Sequence, residues 1–131
     1  MGAMNFAAPL IKLQNISFSY PGGKTVLEKL DFQLLEGDRI GLIAPNGSGK
    51  TTLFHLIMGL NKPVSGQIEL FGQPVTTAKH FEAVRRRIGL LFQDPDDQLF
   101  SPSVKEDVAF GPLNLGKSIE EAQEIVRRTL A

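Results

Sequence analysis

The sequence predicts an α/β fold in which buried central strands carry helices, with an antiparallel β flank and a helical segment at the end of the chain. Three observations support this prediction. Residues Arg39 to Ala44 are almost continuously apolar, the pattern of a strand that helices cover on both faces. Residues 10–20 and 30–34 instead alternate apolar and polar side chains, as flanking strands do. After Lys50, apolar residues recur at helical spacing, at Leu53, Leu56, Ile57 and Leu60.

The first 38 residues hold the predicted flank. The alternation over residues 10–20 changes parity near Asn15, which indicates a strand with a bulge, and Pro21-Gly22-Gly23 then predicts a turn. Residues 30–34 alternate again ahead of a Glu-Gly-Asp turn. This second strand is predicted to form a hairpin-like edge with the segment that follows it.

Beyond the central strand, the pattern alternates between helix and strand. A helix is predicted from Lys50, with Gly59 as a left-handed C-terminal cap. Another flanking strand is predicted at residues 67–72, and a short helix follows Thr77. Residues 88–92, "IGLLF", are predicted to form a second buried strand of the central type.

The end of the chain is predicted to be helical. Two matches to the capping box, in which a serine and a glutamate satisfy each other's backbone amides, begin at Ser103 and Ser118. Two helices are therefore expected to close the chain.

Composition excludes several classes of protein. The formal net charge is zero, which offers no electrostatic case for binding nucleic acid or a bilayer surface. There is no cysteine, so disulfides and thiolate metal sites are impossible, in keeping with a reducing cytoplasm. No apolar run approaches the roughly 18 to 20 residues that span a bilayer. The first four residues, "MGAM", are interpreted as a remnant of an expression tag.

The residues between the predicted central strand and the first helix favour a polyphosphate site. In the loop from Asn46 to Gly49, glycines reach positive φ without steric cost, so successive backbone amides can converge on an anion. The helix start adds unsatisfied amides and about half a positive charge. Lys50 is placed to reach the β- and γ-phosphates, Thr51 to coordinate magnesium, and Thr52 to bond the α-phosphate. This pattern is a Walker A loop, whose cradle consists of Asn46, Gly47, Ser48 and Gly49.

One position departs from the usual Walker A pattern. The pattern begins with glycine, where this chain has Ala44, and we expect a negative φ there because alanine does not tolerate the left-handed region well. The alternative interpretation is a glycine-rich turn before a helix, with a solvated lysine. A chance match of the remaining pattern is roughly a one-in-several-hundred event at ordinary glycine frequency.

Several stretches together resemble one family, the ATP-binding cassette (ABC) proteins. "APNGSGKTTL" resembles their Walker A loop, in which a second threonine or serine follows the first. Tyr20 matches the aromatic position on which these proteins stack the adenine ring, and Gln93 matches their Q-loop glutamine, which meets magnesium and the attacking water. The segment from Gln93 to Gly116 is similar to the ATPases of cobalt-type and energy-coupling-factor importers. The resemblance runs from about Leu10 to the end of the chain.

The resemblance implies a partial P-loop NTPase (RecA-like) core with an antiparallel β flank and the start of the helical subdomain. Residues 5–131 would be a truncated nucleotide-binding domain, with the Walker A and Q-loop core in residues 1–100 and the helical subdomain beginning in 101–131. The signature motif, the Walker B aspartate and the catalytic glutamate of the family would follow the last helix. The chain is therefore expected to be a fragment that does not hydrolyse ATP and, lacking partners for its central strands, self-associates or rearranges.

The resemblance also implies a function. The chain would belong to the ATP-binding subunit of an importer for a metal ion such as cobalt or nickel, or for a vitamin, with ATP and Mg2+ as cofactors. Lys50 and Gln93 would be the catalytic residues, and Thr51 and Gln93 the metal ligands. Partners would be transmembrane subunits, met through the Q-loop region, and a second nucleotide-binding domain, at the cytoplasmic face of the cell membrane. The alternative is a non-catalytic nucleotide-binding or assembly module, or an inactive remnant.

Other candidate residues have ordinary explanations. Tyr20 alone could be a half-buried aromatic at a strand end, and Gln93 alone a solvated loop residue. The three aspartates at residues 94–97 lack the oxygen spacing of a calcium loop and are interpreted as surface acids. His55 and His80 have no acid or cysteine pattern beside them, and the three arginines at residues 85–87 are interpreted as a basic helix terminus.

Overall fold

The computed structural model describes residues 8–131, which divide between Leu90 and Leu91 into two compact units. The predicted tag remnant at residues 1–4 lies outside the described residues. Within the described part of the chain, no helix is long and apolar enough to cross a membrane.

The first unit contains a four-stranded antiparallel sheet in the order β2-β1-β3-β4. Its strands are β1 at Ile11–Ser19, β2 at Thr25–Leu34, β3 at Ser65–Leu70 and β4 at Gln73–Pro74. The predicted antiparallel flank is confirmed. So is the bulge in β1, because Asn15 has a φ of 53° and the pairing register shifts between Leu13 and Ile16.

The predicted pairing of the second strand is wrong. β2 pairs with the preceding strand β1, in a register that sets Leu13 opposite Phe32, and forms the edge of the sheet. The predicted turn at residues 21–23 makes this hairpin possible: Gly22 has a φ of 70°, and the amide of Gly23 donates to the carbonyl of Tyr20 at 2.9 Å. A tight turn brings neighbouring strands together at a low entropic cost, which favours this hairpin.

Helix α1, at Lys50–Ile57, packs against the sheet and closes the core of the first unit. Its buried residues include Leu53, Leu56 and Ile57, three of the positions that the helical spacing predicted. α2, at Ala78–Arg85, contributes Phe81, and the Thr77 side chain caps it by accepting from the amide of His80. The other members of the core are Leu13, Ile16, Phe18, Ile68, Leu70 and Val75.

The C-terminus of α1 ends in the predicted left-handed glycine. Gly59 has a φ of 68°, its amide donates to the Leu56 carbonyl at 3.1 Å, and the Leu60 amide donates to the His55 carbonyl at 2.8 Å. These two bonds make a Schellman motif, which satisfies carbonyls that the helix leaves unpaired.

Arg85, at the end of α2, reinforces the same helix end. Its Nε donates to the Met58 carbonyl at 2.9 Å and its Nη2 to the Gly59 carbonyl at 3.2 Å. Arg87, two residues after Arg85, lies over the ring of Phe71, with its guanidinium carbon 3.7 Å from the ring centroid. Two of the three arginines therefore have contacts within the chain.

We expect Arg85→Ala to lower the free energy of unfolding by about 1 kcal/mol, because two charge-assisted bonds to exposed carbonyls are lost. Thermal melting of the variant should show a midpoint lower by about 4 to 8 °C. Arg86→Ala, at the exposed position between the two arginines with contacts, is the matched control and should melt as the unmodified chain does. If the Arg85 variant has the same melting temperature as the unmodified chain, Arg85 does not stabilise the C-terminus of α1.

The predicted central strands are not formed. Residues 39–44 and 88–92 have no regular secondary structure, and Ile43 is 100% exposed while Leu91 is 78% exposed. In the described part of the chain, every strand belongs to the antiparallel sheet, and neither segment pairs with it. A strand needs a neighbouring strand to complete its ladder of hydrogen bonds, and the described sheet does not extend to either segment, so both remain irregular.

The second unit is helical, as predicted. It holds a 3-10 helix at Pro95–Gln98, α3 at Val104–Asn114 and α4 at Ile119–Thr129. α4 begins with the complete capping box of Ser118 and Glu121, and the bond from the Ser118 amide is the main cause that lowers the pKa of Glu121. At the start of α3, Ser103 accepts from the Glu106 amide at 3.3 Å. Sequence spacing alone was enough to locate both helix starts.

Candidate functional site

The loop that precedes α1 has the backbone of an anion cradle. Gly47 and Gly49 have φ values of 78° and 97°, in the left-handed region that favours glycine. The amide of Ser48 donates to the Pro45 carbonyl at 3.2 Å, which closes a tight turn. The loop is therefore compact rather than extended, as a cradle for an anion requires.

Gly49 is required by packing as well as by its backbone conformation. A Cβ atom there would lie 2.8 Å from Cγ1 of Val26 and 3.0 Å from Cδ2 of Leu27. β2 therefore holds the end of the loop against the sheet. This contribution of Val26 and Leu27 was not predicted, because the predicted second strand covers only residues 30–34 and nothing in the sequence links these two residues to a loop more than 20 residues further along the chain.

The start of α1 is open to an anion. Gly49 is the N-cap residue and no side chain caps the helix, so its first-turn amides are not engaged by a capping oxygen. Nζ of Lys50 donates to the carbonyls of Ala44 and Pro45, which holds the ammonium beside the loop. Glycine backbone, helix amides and a cation thus meet at one place, and this donor set fits a polyphosphate.

The departure at Ala44 causes no backbone strain. The positive-φ residues other than glycine, among residues 8–131, are Asn15, Lys29 and Phe71. The expectation that alanine is accommodated here with an ordinary backbone is therefore confirmed.

The two threonines after Lys50 have different surroundings. Thr51 is exposed, whereas Thr52 is buried, with 5% of its surface accessible. The hydroxyl of Thr52 lies 3.1 Å from the hydroxyl of Tyr20. Tyr20 itself remains 44% exposed and packs edge-to-face on Phe18, with ring centroids 4.9 Å apart. The structure thus brings together two predicted site residues that are 32 positions apart.

Gln93 belongs to the second unit, where it lies exposed in a bend before the 3-10 helix. Its assignment as a magnesium and water ligand stays a prediction. Asp94, the next residue, is the N-cap of the 3-10 helix through its main chain, since its backbone carbonyl accepts from the Asp97 amide at 3.2 Å and its side chain makes no capping bond. Across residues 8–131, no group of three or more histidine or acidic residues is arranged to hold a metal ion.

The chain was compared with known proteins. A family model described as "ABC transporter" matches residues 27–130. A curated relative from Nitratidesulfovibrio vulgaris is 51% identical over 123 residues, covering 93% of this chain and 45% of that protein. The energy-coupling factor transporter ATP-binding protein EcfA of Methanothermobacter thermautotrophicus is 43% identical over 122 residues, covering 92% of this chain and 39% of that protein.

Among solved structures, CbiO1 from Clostridium perfringens, described as part of the ABC transporter complex CbiONQ, superposes with a TM-score of 0.77. It is 34% identical in sequence, and the match covers 88% of this chain and 47% of CbiO1. The chain thus spans less than half the length of each of these three proteins.

Proposed function

Because the chain belongs to the ABC transporter family, we propose that it is part of an importer's ATP-binding subunit and that its loop at residues 44–52 binds magnesium-ATP. The observation that carries the proposal is the compact glycine loop with the Lys50 ammonium at its edge. Importer ATPases are supported as the class by the likeness to EcfA and CbiO1, one an energy-coupling factor protein and the other part of a named transporter complex.

Different groups of the loop would contact different parts of the polyphosphate. The amides of residues 46–49 and of the first turn of α1 would donate to phosphate oxygens, and Lys50 would neutralise the β- and γ-phosphates. The exposed Thr51 hydroxyl would hold Mg2+. Gln93 is proposed as a ligand of magnesium and water in the assembled transporter, from its match to the Q-loop glutamine of the family. Bound Mg2+ neutralises charge that develops on the phosphates. The exposed face of Tyr20 would stack on the adenine ring.

We propose that the imported solute is a metal ion such as cobalt or nickel, or a vitamin. The transmembrane subunits would meet the region around Gln93, and a second nucleotide-binding domain would complete the ATP site. The subunit would then lie at the cytoplasmic face of the membrane. Growth or uptake assays of a deletion strain, supplied with each solute in turn, separate these possibilities.

Isothermal titration with magnesium-ATP tests the binding proposal directly. A saturable heat signal with one site per chain is the expected result, and no phosphate release is expected over the same period. Steady phosphate release by the purified chain would contradict the proposal that these 131 residues bind the nucleotide without hydrolysing it.

A second candidate function, an assembly module without catalysis, is favoured by the exposed apolar side chains of residues 39–44. Ile43 is 100% exposed and Ile40 is 47% exposed, and exposed apolar groups of this kind promote association. In this role the chain would contact further copies or other chains through unpaired backbone.

We expect the purified chain to self-associate at high concentration, and Ile43→Glu to reduce this association, because a charge in the contact opposes its burial. Light scattering at increasing concentration measures the effect. Val64→Glu changes another exposed apolar residue of the first unit, 71% accessible, and should leave association unaltered. A monodisperse monomer at all concentrations would rule out assembly with further copies of the chain.

A further inference from the structure

We propose that the hydroxyl pair of Tyr20 and Thr52 is a positioning device that links the orientation of the Tyr20 ring to occupation of the phosphate cradle. The inference deepens the proposed function and rests on it, because it requires a ligand with both a polyphosphate and a planar base. Thr52 would then form hydrogen bonds both to a phosphate oxygen and to the hydroxyl of Tyr20.

The geometry supplies the link. Thr52 lies in the first turn of α1, three residues after the left-handed Gly49, and is 5% exposed. Its Oγ1 is 3.1 Å from Oη of Tyr20, which follows the end of β1. The hydrogen bond thus joins the helix that starts at the loop to the hairpin that carries the aromatic ring.

The chemistry of hydroxyl groups makes this link sensitive to phosphate. A threonine hydroxyl has one proton to donate and two lone pairs to accept, and a tyrosine hydroxyl can either donate or accept. Without an anion, either member of the pair can be the donor. When Thr52 donates its single proton to a phosphate oxygen, its remaining bond to Tyr20 can be formed only with Tyr20 as the donor.

Phosphate binding therefore selects one direction, from Tyr20 through Thr52 to the phosphate. Hydrogen bonds aligned in this way polarise and strengthen one another. Two contacts orient the Tyr20 ring, this bond and the edge-to-face contact with Phe18. A stronger bond holds the ring more firmly beside the cradle, ready for a base. By linkage, a base stacked on the ring favours phosphate binding to the same degree.

A double-mutant cycle tests the inference, with binding of magnesium-ATP and of magnesium tripolyphosphate measured by isothermal titration on the 131-residue chain. Tyr20→Phe keeps the ring and should weaken magnesium-ATP by about two- to tenfold, the range for one hydrogen bond. It should weaken tripolyphosphate less than magnesium-ATP, because tripolyphosphate loses only the support that the Tyr20 hydroxyl gives to the Thr52–phosphate bond and has no base to meet the ring. Thr52→Val should weaken both ligands, and the double variant should bind magnesium-ATP no more weakly than Thr52→Val alone.

The chain offers a matched control in the same hairpin. Oγ of Ser19 donates to Oγ1 of Thr25 at 3.3 Å, another bond between two hydroxyls. Thr25→Val removes it and should not alter the binding of either ligand.

Three results would overturn the inference while leaving the proposed function intact. In the first, Tyr20→Phe binds magnesium-ATP as tightly as the unmodified chain does. In the second, Tyr20→Phe weakens the binding of both ligands equally. In the third, the loss of magnesium-ATP affinity in the double variant is the product of the losses in the two single variants. If the proposed function itself is wrong, the result is different: the unmodified chain binds neither ligand, and its titration is the same as that of Lys50→Ala. That result overturns both proposals.

Discussion

Magnesium-ATP at about 100 times its dissociation constant is expected to stabilise the chain by roughly 2.7 kcal/mol, and Lys50→Ala is expected to abolish this gain. The ammonium of Lys50 is held beside the loop by the carbonyls of Ala44 and Pro45, so its charge lies next to the proposed phosphate site. Without it, backbone amides alone face a highly charged ligand. Thermal melting with and without magnesium-ATP measures the difference, on the order of 10 °C for the unmodified chain.

The control for this experiment is Lys62→Ala, which removes another lysine of the first unit, exposed and outside the loop. It should keep the full stabilisation by ligand. In the absence of ligand, Lys50→Ala should melt somewhat below the unmodified chain, because its bonds to the Ala44 and Pro45 carbonyls are lost, so the ligand-induced shift of each variant is taken from its own ligand-free curve. If magnesium-ATP does not change the melting temperature of the unmodified chain, the loop does not bind magnesium-ATP in this chain.

Gly66→Ala is expected to lower the free energy of unfolding by about 2 to 4 kcal/mol, through backbone strain and a steric clash together. Gly66 has a φ of 98°, and a Cβ atom there would lie 2.5 Å from the carbonyl oxygen of Asn15 and 2.6 Å from that of Gln14. These atoms belong to the bulge of β1, so the sheet itself must move. Chemical denaturation followed by circular dichroism measures the loss.

Gly72→Ala separates the two causes. Gly72 also has a positive φ, 78°, but a Cβ atom there would have only the side chain of Ala8 near it, at 4.0 Å. This variant should show the cost of backbone strain, about 1 to 2 kcal/mol, without the clash. Equal losses for both variants would mean that the close approach between Gly66 and β1 has no energetic importance.

Local features of the chain were the most predictable. Alternation located β1 and its bulge at Asn15, helical spacing located α1, and the serine-glutamate pairs located α3 and α4. Each of these signals acts over a few residues, through backbone conformation or a neighbouring side chain. The Walker A pattern is of the same kind, since its positive-φ glycines and its lysine lie within seven residues of Ala44.

Features that depend on distant partners were harder to predict. Continuous apolar character at residues 39–44 is a necessary feature of a buried strand, but a strand forms only where a neighbour completes its hydrogen bonds. The described sheet provides no such neighbour, and Ile43 is fully exposed. The pairing of β2 with β1 was mistaken for the same reason, because alternation shows that a strand exists without saying which strand lies beside it.

The amino-acid order by itself determined the chemistry of the loop: which residues can adopt positive φ, which carries a cation and which carry hydroxyls. Only the tertiary structure decided what surrounds that loop. Val26 lies against Gly49, and the Tyr20 hydroxyl lies on Thr52. The physical reason is that backbone preference and side-chain chemistry belong to single residues, whereas these contacts exist only after the hairpin and α1 have packed on a common core.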